Sequence, residues 1–179
     1  MPLYFITGNA KKFSEVKMLM PDVEQLEIDL PEIQENDAKK IIKAKLMEAL
    51  QHHKGEFMVE DTSFYLDCLN GLPGPLIKWF LMTVGNIGLA DIAHKFGNYK
   101  ATVKTIIGYA KSHEEIYFFE GELEGEVIMP VGDVGFGWDP IFKPAGYEKS
   151  FAEMTREEKN AISMRAMAVE KMKEFLSLT

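Results

Sequence analysis

The sequence has a single cysteine, Cys68, so no disulfide can form within the chain. A chain without disulfides suits a reducing compartment, and we expect a cytoplasmic protein. No apolar run approaches the roughly 20 residues that span a bilayer. The apolar stretch within Met1 to Ile6 follows no basic segment, unlike a signal peptide. The sequence therefore predicts neither a membrane partner nor export.

Positive charge is also scarce. The chain has 20 lysines and arginines against 28 acidic residues, which gives a formal net charge of -8. Surfaces that bind nucleic acids usually carry a basic footprint, so we expect no nucleic-acid partner. A phosphate ligand would have to be held by local lysines, helix ends and a bound cation. The length of 179 residues predicts a single domain over residues 1–179.

The order of predicted elements is typical of an α/β fold. In the N-terminal third, strands alternate with helices: strands are predicted at 3–6, 25–30 and 57–59, and helices at about 11–20 and 37–53. A helix is predicted at 87–96, and two or three strands within 100–131. Helix returns near the C-terminus, where Thr155 and Glu158 have the spacing of a capping box.

The segment Thr7-Gly8-Asn9-Ala10-Lys11-Lys12 lies where a strand passes into a helix. Free backbone N–H groups at a helix start can hold a phosphate, and the two lysines add positive charge. The spacing differs from that of a Walker loop. The alternative is a tight turn with solvated lysines.

Two acidic residues, Glu60 and Asp61, follow a short predicted strand, where α/β proteins commonly place ligand sites. Because side chains alternate along a strand, Asp61 and Ser63 should face one way and Glu60 and Thr62 the other. Magnesium prefers one or two carboxylates plus substrate phosphates, and Glu32 could supply the second carboxylate. The alternative is a helix cap or a solvated acidic loop.

Two segments combine aromatic rings with charge. Lys78-Trp79-Phe80 follows a loop rich in proline and glycine, and residues 135–140 read Gly-Phe-Gly-Trp-Asp-Pro. A purine could stack on Phe136 or Trp138. The alternative for either segment is a set of core aromatics beside a turn.

The C-terminal helical segment carries three polar candidates. Lys159 and Ser163 are four residues apart and share a helical face, but Arg165 does not. A straight helix cannot direct both cations at one small ligand. Either Ser163 caps a new helix after a break, or the ligand wraps around the end of the segment. The third possibility is an exposed basic face.

Taken in this order, the segments resemble the Ham1-like inosine triphosphate pyrophosphatase family, from Ile6 to about Phe175. The motifs that carry the resemblance are Thr7–Lys12, Val59–Thr62, Gly71–Pro75 with Lys78–Phe80, Phe136–Pro140, and Ala152–Met154 through Lys159–Ala161. The Glu60-Asp61 and Lys78-Trp79-Phe80 variants look like the eukaryotic branch. The resemblance implies an enzyme that hydrolyses ITP, dITP and XTP to the monophosphate and pyrophosphate. It also implies a homodimer, an elongated mixed β-sheet flanked by helices, and two lobes with a central nucleotide cleft.

The resemblance also assigns residues to roles. It implies a triphosphate site at Thr7, Gly8, Asn9, Ala10, Lys11 and Lys12, and a magnesium site, which manganese could also fill, at Glu32 and Asp61. Asp61 would help to activate water, and the catalytic set would be Asp61, Glu32 and Lys12. Thr62 joins the substrate-binding set, and Lys78 would reach phosphate. The base pocket would be built by Phe136, Gly137, Trp138 and Asp139, with Lys159 near the nucleotide and Arg165 at the purine 6-keto oxygen. A family lysine on the second helix corresponds to Lys45, with Lys43 as competitor.

One position departs from the family pattern. Met164 stands where the family usually has histidine, so a thioether replaces a hydrogen-bonding imidazole beside the base. We therefore expect weaker discrimination against ATP and GTP. Two other functions compete with this interpretation: a Maf-like pyrophosphatase for modified nucleotides, and a nucleotide-binding module without turnover.

Overall fold

The computed structural model describes residues 2–178. In chain order its helices and strands are β1 (Leu3–Ile6), α1 (Ala10–Leu19), β2 (Glu24–Leu26), α2 (Ala38–His52), β3 (Glu56–Leu66), β4 (Pro73–Gly74), α3 (Ile77–Thr83), α4 (Gly85–Phe96), β5 (Lys100–Ala110), β6 (Ile116–Val127), β7 (Phe142–Pro144), α5 (Arg156–Asn160) and α6 (Met164–Leu178). Within this described part, no helix has both the length and the apolar character required to cross a bilayer.

All seven strands belong to one mixed sheet. Its order is β2-β1-β3-β5-β6-β7, and β4 pairs with β3. β1 runs parallel to both β2 and β3, whereas β4 is antiparallel to β3 and β7 is antiparallel to β6. Helices α1 and α2 supply the long connections that parallel strands need. The predicted mixed sheet flanked by helices is confirmed.

Two predicted strands have the wrong length. β2 covers only Glu24–Leu26, and β3 extends to Leu66. Glu60 and Asp61 therefore lie inside a strand rather than after one. The prediction at 57–59 covers only the apolar run of this strand, whereas β3 continues through Glu60, which is buried in the structure.

The chain divides into two units, each assembled from separate segments. The first contains the residues up to Asp61, Thr105–Gly121 and the residues from Arg165 onward; the second contains Thr62–Lys104 and Glu122–Met164. The three long strands β3, β5 and β6 contribute residues to both units.

The first unit buries apolar side chains on both faces of its strands. On one face Phe5 and Met58 join a cluster with Val16 of α1 and Val169 of α6. On the other face a second cluster is formed with α2 by Ile6, Ile42, Leu46, Phe57 and Val59. Neighbouring residues of β3 thus point to opposite faces, as strand geometry requires.

The second unit has one aromatic-rich core. Its largest members are Phe64, Trp138, Phe142 and Phe151, together with Leu89 of α4. The ring centroids of Phe64 and Trp138 lie 5.1 Å apart. This core fixes the segment that follows Val134 against the strands of the second unit.

Candidate active site

The turn between β1 and α1 is held by its own polar groups. The Thr7 N–H donates to the Leu26 carbonyl at 3.2 Å, and the Asn9 N–H donates to Thr7 Oγ1 at 3.1 Å. Asn9 caps α1, since its Oδ1 accepts from the Lys11 and Lys12 N–H groups at 3.0 and 3.1 Å. Two of the N–H groups at this helix start are therefore already bonded to Asn9, and the positive charge here comes from the lysine side chains.

Lys12 belongs to a network of buried charges in the first unit. Its Nζ lies 3.1 Å from Glu60 Oε1. Glu60 also accepts two hydrogen bonds from Arg165, from Nε to Oε2 at 2.7 Å and from Nη2 to Oε1 at 2.8 Å. Arg165 Nη1 donates to Glu15 of α1. Two cations thus meet two carboxylates, and Arg165 is the largest fully buried side chain among the described residues.

This network keeps Glu60 ionised. Burial raises the pKa of the Glu60 carboxyl, but the Arg165 guanidinium and then the Lys12 ammonium outweigh it and hold that pKa well below its usual range. Glu60 is therefore a fixed negative charge at any pH near neutrality. Since a buried carboxylate with a charge-assisted bidentate partner has one preferred geometry, it is also a rigid anchor.

Asp61 lies on the opposite face of β3 from Glu60. Phe57 and Val59 pack in the cluster that contains Leu46 of α2, so alternation places Asp61 on the α2 side of the sheet. The predicted separation of Glu60 from Asp61 follows from this strand geometry. The two carboxylates cannot act as one pair.

On the α2 side, Lys45 donates from Nζ to Glu32 Oε1 at 2.8 Å. Lys45 is half-buried, whereas Lys43 is exposed on the same helix. The first unit thus presents carboxylates at Glu32 and Asp61 and an ammonium at Lys45. Oxygen donors of this kind suit a hard cation and lysines suit phosphate.

The second unit contains the aromatic candidates, and Asp139 organises them. Its Oδ2 accepts from the Phe136 N–H at 2.9 Å and from Lys159 Nζ at 2.8 Å. The Lys159 ammonium also lies 4.9 Å from the centroid of the Phe136 ring. Gly135 has a φ of +86°, and a Cβ there would lie 2.1 Å from Asp139 Oδ2, so only glycine fits. Gly135 therefore allows this segment to pack closely around the Asp139 carboxylate.

Phe136 and Trp138 differ in exposure. Trp138 is 7% exposed and packs on the Phe142 and Phe151 rings, so it is a core residue of the second unit. Phe136 is only partly buried and contacts the Lys159 ammonium. Of the two aromatic candidates, Phe136 has the ring more available for stacking.

The remaining candidates of the second unit lie on three different elements, β3, α3 and α6. Thr62 is half-buried on β3. Lys78 is exposed near the start of α3, where its Nζ lies 6.0 Å from the Trp79 ring centroid. Met164 is 1% exposed and belongs to the aromatic-rich core.

The C-terminal segment is broken, which decides between the alternatives for it. α5 ends at Asn160 and α6 begins at Met164, directly after Ser163. The expected capping box of Thr155 and Glu158 is confirmed. Lys159 belongs to the second unit and Arg165 to the first, and both are buried. The possibility of an exposed basic face is therefore wrong.

Sequence reasoning did not assign a role to Glu60 or Glu15. The spacing Lys12-x-x-Glu15 on α1 indicates a shared helical face, which was a usable signal. The partner Arg165 is 150 residues from Glu15 in the chain. No local pattern predicts a contact at that separation.

A model of the Ham1 family matches residues 3–175. The chain is 40% identical over 178 residues to a protein named inosine triphosphate pyrophosphatase from Schizosaccharomyces pombe, covering 97% of this chain and 94% of that protein. A protein of the same name from Batrachochytrium dendrobatidis is 40% identical over 176 residues, covering 96% and 92%. The fold resembles that of a HAM1 protein from Coxiella burnetii, with a TM-score of 0.86, 22% identity and full coverage of both chains.

Proposed function

The chain belongs to the Ham1 family, and on that premise we propose that it hydrolyses ITP, dITP and XTP to the nucleoside monophosphate and pyrophosphate. The 40% identity to two proteins named inosine triphosphate pyrophosphatase carries this proposal. Those relatives do not favour a Maf-like pyrophosphatase or a nucleotide-binding module without turnover.

The first unit has the groups that such a reaction needs. Cleavage next to the α-phosphorus requires positioning of the triphosphate, neutralisation of developing charge, and a carboxylate that orients the attacking water. Lys12 and Lys45 supply ammonium groups beside two carboxylates of this unit, at 3.1 Å from Glu60 and 2.8 Å from Glu32. Asp61 is the candidate that orients water, because alternation along β3 places it on the side of the sheet that α2 and Lys45 cover. The reaction then needs no covalent nucleophile.

Magnesium is the cofactor that we propose. Glu32 and Asp61 offer hard carboxylate oxygens, and the Lys45 ammonium fixes the Glu32 carboxylate. The described residues include no cluster of three or more acidic, histidine or cysteine ligands, so phosphates and water would complete the shell, as magnesium prefers. When bound, the ion would neutralise charge on the leaving pyrophosphate.

Base recognition is assigned to the second unit. Phe136 offers a ring face, and Lys159 and Asp139 offer a buried donor and acceptor beside it. A purine that stacks on Phe136 would place its polar edge near these charges.

We also propose a cytoplasmic homodimer. The single Cys68 suits a reducing compartment. Trp79, Met82 and Ile87 of α3 and α4 are 47%, 67% and 62% exposed, and exposed apolar patches often mark protein interfaces. Sedimentation velocity of the purified protein tests the dimer.

Product analysis tests the proposed activity. Purified protein should release pyrophosphate, not orthophosphate, from ITP when magnesium is present, and should be inactive after chelation. A substrate panel of ITP, XTP, ATP and a methylated pyrimidine triphosphate separates the alternatives. Release from the pyrimidine alone would support the Maf-like function, and binding without release would indicate a sensor.

A further inference from the structure

Glu60 is bonded to two cations at once. Its Oε1 lies 3.1 Å from Lys12 Nζ and 2.8 Å from Arg165 Nη2, and its Oε2 lies 2.7 Å from Arg165 Nε. The guanidinium is thus bidentate to the carboxylate, an arrangement that restricts both groups to one plane. The Glu60 side chain is 1% exposed, whereas the Lys12 side chain is 24% exposed.

A lysine in the first turn of a surface helix has four rotatable bonds and samples many rotamers. Lys12 differs because its ammonium contacts the Glu60 carboxylate, which Arg165 holds in one orientation. An ammonium has three donors, so the contact with Glu60 leaves others for a ligand. Glu60 can therefore restrict where the Lys12 charge lies without blocking its use.

We propose that Glu60 is a positioning residue for Lys12, fixed in turn by Arg165, and that it holds the Lys12 ammonium where the triphosphate binds. The proposal rests on the proposed function, which makes Lys12 a phosphate ligand. Arg165 then contributes to catalysis through Glu60 and Lys12.

A double-mutant cycle tests this chain of contacts. Glu60→Gln keeps the shape and removes the charge, and Lys12→Met removes the ammonium. We expect Glu60→Gln to lower kcat/KM for ITP by about tenfold, mainly through KM, and by less than about twofold in the Lys12→Met background. Effects that multiply in the double variant would overturn the proposal, because Glu60 would then act independently of Lys12.

Glu56→Gln is the matched control, since it removes another carboxylate of β3, one that accepts a hydrogen bond from the Tyr109 hydroxyl at 2.6 Å and is not bonded to Lys12 or Arg165 in the contacts described. We expect it to change kcat/KM by less than about twofold. An equal loss of kcat/KM in Glu56→Gln and Glu60→Gln would overturn the proposal, because loss of a strand carboxylate alone would then explain the effect. Glu60→Asp, which keeps the buried charge and shortens the side chain, replaces Glu60→Gln if that variant does not fold.

A measurement without turnover separates the two proposals. Lys12 acetylation by an amine-reactive ester, followed by peptide mass spectrometry, should be faster in Glu60→Gln than in the wild type, with exposed Lys11 as internal reference. Unchanged Lys12 labelling would refute the anchoring by Glu60. Faster labelling in a protein that releases no pyrophosphate from ITP would refute the proposed function and support the anchoring.

Discussion

The Lys45 ammonium donates a hydrogen bond to a Glu32 carboxylate oxygen across 2.8 Å. The contact joins the middle of α2 to the segment that precedes this helix. The Lys45 side chain is 16% exposed and that of Glu32 is 44% exposed, so the better-buried lysine restrains the more exposed carboxylate. This geometry favours Lys45 over the exposed Lys43 as the lysine of the site.

Lys45→Met should weaken the proposed metal site. Removing a group that orients a metal ligand typically lowers metal affinity or activity by about 10- to 100-fold. We expect the magnesium concentration for half-maximal pyrophosphate release to rise by at least about tenfold. Lys43→Met, on the same helix, is the control and should behave like the wild type. A larger effect from Lys43→Met would transfer the role to that residue.

Asp139→Asn should destabilise the protein. Lys159 is only 3% exposed, and in this variant its ammonium group loses the carboxylate with which it is paired. Breaking a buried ion pair by removing one partner costs about 3–5 kcal/mol. Chemical denaturation should show a loss of this size, whereas Glu170→Gln in the exposed pair with Lys173 should leave the unfolding free energy almost unchanged. Equal stability of Asp139→Asn and the wild type would rule out a stabilising role for the pair.

Acid should unfold the protein partly through Glu60. Its pKa in the folded state lies below the ordinary value of 4.5. A depressed carboxyl pKa contributes stability above the unfolded-state pKa, and this contribution is lost as the pH falls below it. The thermal midpoint of the wild type should therefore fall as the pH drops below 4.5. Glu60→Gln should show a flatter curve in that window, and parallel curves would argue against this pKa shift.

Met164 is expected to relax base selectivity. Its side chain is buried in the apolar core of the second unit, and a thioether is at best a weak acceptor. Met164→His should raise the ratio of kcat/KM for ITP over ATP by roughly two- to tenfold, the value of one hydrogen bond. Met167→His, at an exposed position of α6, is the control. An unchanged ratio in Met164→His would remove this residue from base discrimination.

Local sequence signals predicted much of the fold. The capping box of Thr155 and Glu158 was predicted and is present in the structure, because capping depends on neighbouring residues. In the helix predicted at 37–53, the apolar residues Ile42 and Leu46 are four positions apart, and both are buried on one face of α2. Periodicity was sufficient there, since burial of one helix face imposes it.

The charge networks could not be predicted in the same way. Glu60 and Arg165 are 105 residues apart in the chain, and adjacent carboxylates in the sequence suggested a loop. Only tertiary structure places a guanidinium beside Glu60 and makes an internal strand position tolerable for it. The buried pair of Asp139 and Lys159 could not be predicted either. The sequence suggested that Asp139 lies in a turn and that Lys159 is an exposed cation.

Asp61→Asn tests the central claim most directly, because the substitution keeps the shape of the side chain and removes its charge. The measurement is kcat for pyrophosphate release from ITP at saturating magnesium, with circular dichroism melting to monitor the fold. We predict a loss of kcat of at least about 100-fold with a folded protein. A folded Asp61→Asn variant with wild-type kcat would contradict the assignment of Asp61 to the metal and the attacking water.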